Sequence, residues 1–148
     1  MQPAAAFVPA RRRLLPALAL LVASPGLLAQ RAPRPAEAKI GDVVISDEKD
    51  ASDSLESFEP GTAMIYLTAQ LLNVPQGARV AASWVAVSTK VAPRNYVIDS
   101  AELVVTGKVN VANFSLSKPN GGWPIGRYRV DLSINGRKAG STGFKVRS

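Results

Sequence analysis

The sequence predicts an all-β domain, an antiparallel β-sandwich of about seven to eight strands. After residue 30, helical periodicity is scarce, whereas short runs of alternating apolar and polar residues recur between Gly, Pro and Asn residues. The clearest runs, residues 127–134 and 142–146, flank an Asn135-Gly136 pair near the end of the chain. Because such alternation places one face of a strand on a core and the other in water, it favours packed antiparallel sheets.

The first 29 residues have the layout of a secretory signal peptide. Arginines at residues 11–13 precede a short apolar run, residues 14–23, which Pro25 helps to end. A membrane-spanning helix needs about 20 apolar residues, more than this run provides. We expect cleavage after Ala29, with Ala23 as the alternative, and export to the periplasm or the medium. The arginines also loosely fit a twin-arginine signal, so the export route stays open.

Residues 30–36 are rich in Pro and predict a linker, which leaves residues 37–148 for the folded domain. The chain has no Cys and no His. It therefore lacks disulfides, cysteine-ligated metals, a lipoprotein anchor and the usual general base of Ser–His and Cys–His enzymes. We expect a domain that is held by packing alone, needs no cofactor and is not an enzyme.

Strands are predicted within this domain at residues 40–46, 62–72, 79–90, 96–98, 102–106, 108–116, 127–134 and 142–146. Two strands alternate best, and their expected inward residues are Ala63, Ile65, Leu67, Ala69 and Leu71 in one and Tyr128, Val130, Leu132 and Ile134 in the other. Asn135 and Gly136 tolerate the positive φ of a type I′ turn, so the last two strands are expected to form a hairpin.

The segment Gly126-Arg127-Tyr128-Arg129-Val130 resembles immunoglobulin-like and fibronectin type III-like sandwiches. The penultimate strand of those domains begins with Gly-x-Tyr, and the Tyr hydroxyl bonds back to the backbone as a tyrosine corner. The resemblance implies that Tyr128 is that residue and that Val130 stands where antibody domains have a Cys. It also implies that Trp84 is the central Trp of the core.

A wider pattern, from Phe58-Glu59-Pro60-Gly61-Thr62 to Gly122-Trp123-Pro124, is similar to small exported bacterial domains of unassigned function. The resemblance covers residues 37–148 and contains no catalytic residues. It implies an immunoglobulin-like fold and an exported protein, but no particular activity, because one fold hosts many functions.

Charge is distributed unevenly along the chain. Residues 37–59 contain eight acidic residues, whereas residues 61–148 contain eleven basic residues and only three acidic ones. Without the three signal arginines, 15 basic and 11 acidic residues remain, a net charge of +4. This excess is either an ordinary solvated surface or a basic face that meets an anionic partner.

Five residues are candidates for partner binding. Arg127, Arg129, Lys145 and Arg147 occupy outward positions of the C-terminal hairpin and are expected to form one basic patch. Trp123 precedes the hairpin in a Gly- and Pro-rich loop, where it is either a platform for a ligand or a plug that caps the core.

The sequence leaves three interpretations of function open. We expect a non-catalytic domain that binds an envelope protein, a glycan or an anionic lipid surface, with no nucleic acid and no transmembrane span after signal cleavage. Alternatives are a structural or assembly subunit of an envelope complex, or an exported hydrolase or inhibitor that uses the acidic loop, residues 42–59. That loop lacks the spacing of an EF-hand, and whether it binds calcium stays open. Two carboxylates with raised pKa values in a pocket would favour the enzyme.

Overall fold

The computed structural model describes residues 31–148, and the predicted signal peptide lies outside them. Residues Arg34–Ser148 form one unit, in which eight strands confirm the predicted fold class. The strands are β1 (Lys39–Ser46), β2 (Ser57–Phe58), β3 (Met64–Leu72), β4 (Arg79–Thr89), β5 (Tyr96–Val104), β6 (Val111–Ser117), β7 (Gly126–Ile134) and β8 (Arg137–Val146).

Two sheets of unequal width make the sandwich. The narrow sheet has the order β1-β3-β6, and the wide sheet has the order β2-β8-β7-β4-β5. Neighbouring strands are antiparallel except for the short parallel pair of β2 and β8. Asn135 and Gly136, with φ values of 51° and 78°, connect β7 to β8 as the predicted tight turn.

The core lies between the sheets and is built from alternate residues of the long strands. The predicted inward residues of β3 and β7 are buried, apart from Ala63, which lies before β3 and is exposed. Phe144 of β8 lies at the centre of an aromatic cluster, with ring centroids 5.1 Å from Tyr128, 5.4 Å from Phe58, 6.4 Å from Trp84 and 6.5 Å from Trp123. Aromatic pairs at such distances add to the stabilisation from buried area.

Four strand predictions are wrong in their bounds, and the largest error at a strand end is in β8, which begins at Arg137 rather than at residue 142. The separate strands predicted at 96–98 and 102–106 are one continuous strand, β5, and β6 begins at Val111 rather than at residue 108. The two-residue strand β2 was not expected. β5 is an edge strand with mostly exposed residues and a bulge opposite Trp84 and Val85, so it lacks the alternation that marks a half-buried strand. β2 is too short for any periodic signal.

Candidate binding surface

The strand register separates the connections of the sandwich into two groups. Gly126 at the start of β7 pairs with Thr89 at the end of β4 and with Val146 at the end of β8. The loops that meet there, which we call the loop end, are residues 47–56, 59–63, 90–95 and 118–125, since β1 ends at Ser46 opposite Tyr66 and β2 begins at Ser57 opposite Lys145. The opposite end, which we call the turn end, contains residues 73–78, 105–110 and the Asn135-Gly136 turn.

Trp123 belongs to the core of the loop end. It is 2% exposed, and its ring meets those of Tyr128 and Phe144 edge to face. Its indole Nε1 donates a hydrogen bond to the carbonyl oxygen of Thr62 at 2.9 Å. Its backbone N–H donates a hydrogen bond to the carbonyl oxygen of Pro60, also at 2.9 Å. Trp123 therefore lies as a plug that joins two loops, and only a small part of its ring can face a ligand.

The tyrosine corner implied by the resemblance is present in the same region. The Tyr128 hydroxyl donates a hydrogen bond to the carbonyl oxygen of Pro124. Burial raises the pKa of Tyr128 to about 12, so the hydroxyl keeps its proton. Together with Trp123, this bond fixes the path of residues 118–125 at the end of the sandwich.

An apolar groove of about 440 Å³ opens between the loops at residues 90–95 and 118–125. Its lining contains no charged side chain and consists of Ala86, Thr89, Val91, Ala92, Pro93, Tyr96, Ile98, Pro119, Asn120, Gly122, Trp123, Pro124 and Tyr128. Four other concavities on the described residues include charged side chains in their linings, so they are less suited to an apolar group. Concave apolar sites are the usual places for ligands and anchoring side chains.

Exposed apolar side chains surround this groove. Val91 is 74% exposed, Ile125 57% and Tyr96 52%. The hydroxyl of Thr89 lies at the groove wall, is buried and has no hydrogen-bond partner within the described residues. Such a group is costly in an isolated domain and would gain from a polar atom of a ligand or a water molecule.

The predicted basic patch lies on the outer face of the wide sheet. Arg127 of β7 is directly opposite Lys145 of β8, and both are exposed. Arg147 follows β8, and its Nε donates a hydrogen bond to Ser57 Oγ at 3.2 Å. Like charges placed opposite one another cost some stability, so this pair is not explained by the fold itself.

Arg129 differs from the other three basic candidates. Its Nε lies 3.0 Å from a carboxylate oxygen of Asp131, and its Nη1 donates a hydrogen bond to Asn95 Oδ1 at 2.9 Å. Lys138 also lies 3.8 Å from Asp131. Burial raises the pKa of Asp131, but hydrogen bonds from Arg129 and Ser141 and the nearby positive charges outweigh it and lower the pKa. Arg129 therefore offers less free charge to a partner than its position in the sequence suggests.

Most of the acidic loop connects β1 of the narrow sheet to β2, the edge strand of the wide sheet opposite β5. Ser54 Oγ accepts a hydrogen bond from the N–H of Ile45, and Lys49 and Asp50 lie beside Tyr66 and Asn113 of the narrow sheet. All eight acidic residues of the range 37–59 are exposed. Residues 31–148 contain no group of three metal-binding side chains close enough to share an ion.

Sequence reasoning missed the residues that make the groove. Val91 and Pro93 of the lining lie in a loop between Lys90 and Arg94, and Pro124 of the other loop lines the groove next to the exposed Ile125. An isolated apolar residue between basic residues in a predicted loop was the available signal. Only the Thr89–Gly126 pairing shows that the two loops lie together.

Comparison with known structures supports the fold. An immunoglobulin-like protein from Pseudomonas aeruginosa is similar at a TM-score of 0.54 and 15% identity, over 77% of this chain and 99% of that one. The fold is thus immunoglobulin-like, and identity at this level does not extend to function. No protein-family model matches the chain, and no curated protein matches it.

Two enzymes show weaker similarity over part of their length. A Pseudomonas fluorescens alkylpurine DNA glycosylase bound to DNA has a TM-score of 0.48 and 19% identity, over 76% of this chain and 31% of that one. A Listeria innocua beta-glucosidase has a TM-score of 0.47 and 10% identity, over 76% and 16%. This chain spans a minor part of each enzyme, so neither activity transfers to it. None of the residues 31–148 lies in a helix long and apolar enough to cross a membrane.

Proposed function

We propose that the chain is a non-catalytic, exported β-sandwich domain of the bacterial envelope, and that its loop end docks on a partner there. The apolar groove of about 440 Å³ between the loops at residues 90–95 and 118–125 carries this proposal. Exposed apolar groups that rim a groove are typical of interaction sites, whereas scattered apolar residues are ordinary surface.

Basic residues beside the groove add a second determinant. Lys90 and Arg94 bracket the apolar residues of one loop, and Arg127 follows Ile125 of the other by two positions. All three are exposed, and the ion pairs among the described residues lie elsewhere. Such positive charge favours an anionic partner, which agrees with the predicted basic hairpin.

The exposure of the acidic loop supports a non-catalytic role. A hydrolase that uses paired carboxylates holds them in a cleft where burial raises at least one pKa. Here the acidic residues from 37 to 59 are exposed, and the pKa of Asp131, which lies outside this loop, is lowered. An exported hydrolase built on this loop is therefore the less favoured proposal.

An assembly subunit is the second candidate, because β5 is an edge strand of the wide sheet. It pairs with β4 on one side, and no strand of the described residues pairs with its other side. An open edge can accept a strand from another chain. However, β5 has a bulge, and the Asp99 carboxylate accepts a hydrogen bond from the N–H of Ser100 at 2.8 Å. Bulges and charges are devices that discourage strand pairing, so the groove is the better candidate.

A photo-crosslinking amino acid in place of Val91 tests docking through the loop end. The same group in place of Val109 is the matched control, since Val109 is exposed at the turn end. We expect position 91 to yield a discrete adduct in intact cells and position 109 to yield none. Equal adducts from both positions, or none from position 91, would count against docking through the loop end.

Export is tested separately by the intact mass of the protein recovered from the periplasm and the medium. A mature protein that begins near Gln30 is expected from the signal-peptide layout. Recovery of the full-length chain from the cytoplasm alone would contradict the proposed compartment.

A further inference from the structure

The loop end presents apolar side chains to water as well as inside the groove. Val91 and Ile125 are among the most exposed large apolar residues of the described domain, at 74% and 57%. Because Thr89 pairs with Gly126, the loops that hold them lie side by side. Residues exposed to this extent contribute little to the core, so their apolar character has no role in the fold.

Basic side chains flank both loop tips. Lys90 and Arg94 lie on either side of Val91 and Pro93, and Arg127 lies on the outer face of the wide sheet just after Ile125. Directly opposite Arg127, Lys145 extends the positive charge along that face. Apolar side chains with a basic surround are the combination that binds the surface of an anionic bilayer.

We propose that the loop end binds an anionic lipid bilayer, with Val91 and Ile125 inserted at the interface and Lys90, Arg94 and Arg127 on the headgroups. This inference rests on the proposed docking function and names its partner. A bilayer fits better than a peptide because Val91 and Ile125 are exposed at the same end of the sandwich and have basic neighbours in the sequence, the combination that binds an anionic interface. The groove between them has room for part of a lipid molecule.

The position of the acidic loop sets the orientation of the bound domain. Lys49 and Asp50 lie against the outer face of the narrow sheet, near Tyr66 and Asn113. The basic face lies on the wide sheet, across the core from them. Glu56 and Glu59 flank β2, at the edge of the wide sheet opposite β5. A tilt that brings the loop between β4 and β5 towards the headgroups therefore keeps the acidic loop farther from the anionic surface.

Cosedimentation of the exported protein with vesicles tests this inference. Vesicles of equal parts phosphatidylglycerol and phosphatidylcholine provide the anionic surface, and pure phosphatidylcholine vesicles are the neutral control. We expect binding to the anionic vesicles alone, weakened strongly by salt, since the Debye length falls from about 10 Å at 0.1 M to about 3 Å at 1 M.

Paired variants separate the two determinants. Val91→Ser with Ile125→Ser removes the apolar contact, and Lys90→Ser with Arg94→Ser removes two charges. Each pair is expected to weaken binding by about tenfold or more, since a basic residue near an anionic surface contributes roughly fivefold. The turn-end controls, Val109→Ser and Lys108→Ser with Arg137→Ser, are expected to bind within about twofold of wild type. All positions are exposed, so thermal melts verify that the variants fold.

The failed outcomes are distinguishable. If the wild type ignores the anionic vesicles, or if the turn-end controls lose as much binding as the loop-end pairs, the lipid inference is wrong. If crosslinking at position 91 still yields a discrete protein or glycan adduct, the docking function stands without its lipid partner. Absence of both vesicle binding and that adduct would refute both proposals.

Discussion

The two ends of this sandwich close the same sheets with different chemistry. Residues with positive φ supply the chain reversals at both ends, among them Asn73, Gly77, Asn135 and Gly136 at the turn end and Asn95, Gly121 and Gly122 at the loop end. The ends differ in apolar exposure: Val91 and Ile125 at the loop end are 74% and 57% exposed, whereas Val109 at the turn end is 41% exposed. The turn end connects its strands with less apolar surface in water, so the additional apolar surface of the loop end calls for a reason beyond connection.

The loop end is also fixed by hydrogen bonds from its interior. Trp123 binds two carbonyl groups of the loop at residues 59–63, and Tyr128 binds Pro124. Ile125 therefore stands on a well-fixed loop. The loop of Val91 is held at Asn95, which donates a backbone hydrogen bond to the carbonyl oxygen of Val87 and accepts one from Arg129. A rigid scaffold that presents exposed groups is the usual arrangement of a binding surface, because little conformational freedom is lost on binding.

The largest effect on stability is expected in the core, on which both ends of the sandwich are built. Trp84 lies on the central strand β4, is 2% exposed and contacts Phe144. We expect Trp84→Ala to lower the free energy of unfolding by about 3–5 kcal/mol, a large part of the stability of a domain without disulfides. Denaturant melts measure it, and a loss below about 1 kcal/mol would mean that Trp84 is peripheral to the core.

The same Gly-to-Ala change is expected to have unequal effects at the two ends. A Cβ at Gly126 would collide with the carbonyl oxygen of Ser88, whereas a Cβ at Gly136 meets open space. We expect Gly126→Ala to cost about 2 kcal/mol or more through strain between β4 and β7. Gly136→Ala should cost about 1 kcal/mol, because its φ of 78° remains unfavourable for alanine. Denaturant melts of both variants measure the two losses, and equal losses of unfolding free energy would show that Gly126 is no more constrained than Gly136.

The tyrosine corner gives the loop end a dependence on pH. Tyr128→Phe removes the hydrogen bond to Pro124 and is expected to cost about 1 kcal/mol at neutral pH. Burial raises the pKa of Tyr128 from 10.0 to about 12, so the unfolded chain loses this proton first. The stability contributed by the neutral hydroxyl is therefore complete below pH 10 and is lost as pH rises towards 12.

The control for this dependence is the difference between wild type and Tyr128→Phe, measured in denaturant melts across the alkaline range. Every other residue is the same in both proteins, so only Tyr128 changes the difference. We expect the advantage of the wild type to shrink above pH 10. A constant difference across this range would show that the buried hydroxyl does not control the alkaline loss of stability.

The smallest effect on folding is expected at the exposed loop tips. Val91→Ser with Ile125→Ser should change the free energy of unfolding by less than about 0.5 kcal/mol per site, because surface positions contribute little. A large loss in the melts would show that these side chains serve the fold, which would remove the main reason to assign them to binding.

Much of the scaffold could be predicted from the sequence, because burial leaves a periodic record. The alternation in β3 and β7, the Asn135-Gly136 turn and the Gly-x-Tyr start of β7 each reflect local physical constraints. The edge strand β5 leaves no such record, since neither of its faces is well buried. The groove could not be predicted because Val91 and Ile125 are far apart in sequence and only strand pairing brings their loops together. The ion pair of Arg129 with Asp131 likewise depends on side-chain geometry.

A single labelled cysteine at each end of the sandwich tests most directly whether the loop end, and not the turn end, contacts the lipid. The chain has no cysteine of its own, so Val91→Cys and Val109→Cys each carry one polarity-sensitive fluorophore at a known site. On addition of the phosphatidylglycerol vesicles, the label at position 91 should shift to the blue and become less accessible to an aqueous quencher, while the label at position 109 stays unchanged. An unchanged signal at position 91, or the same shift at both positions, would contradict the assignment of the loop end as the surface that binds lipid.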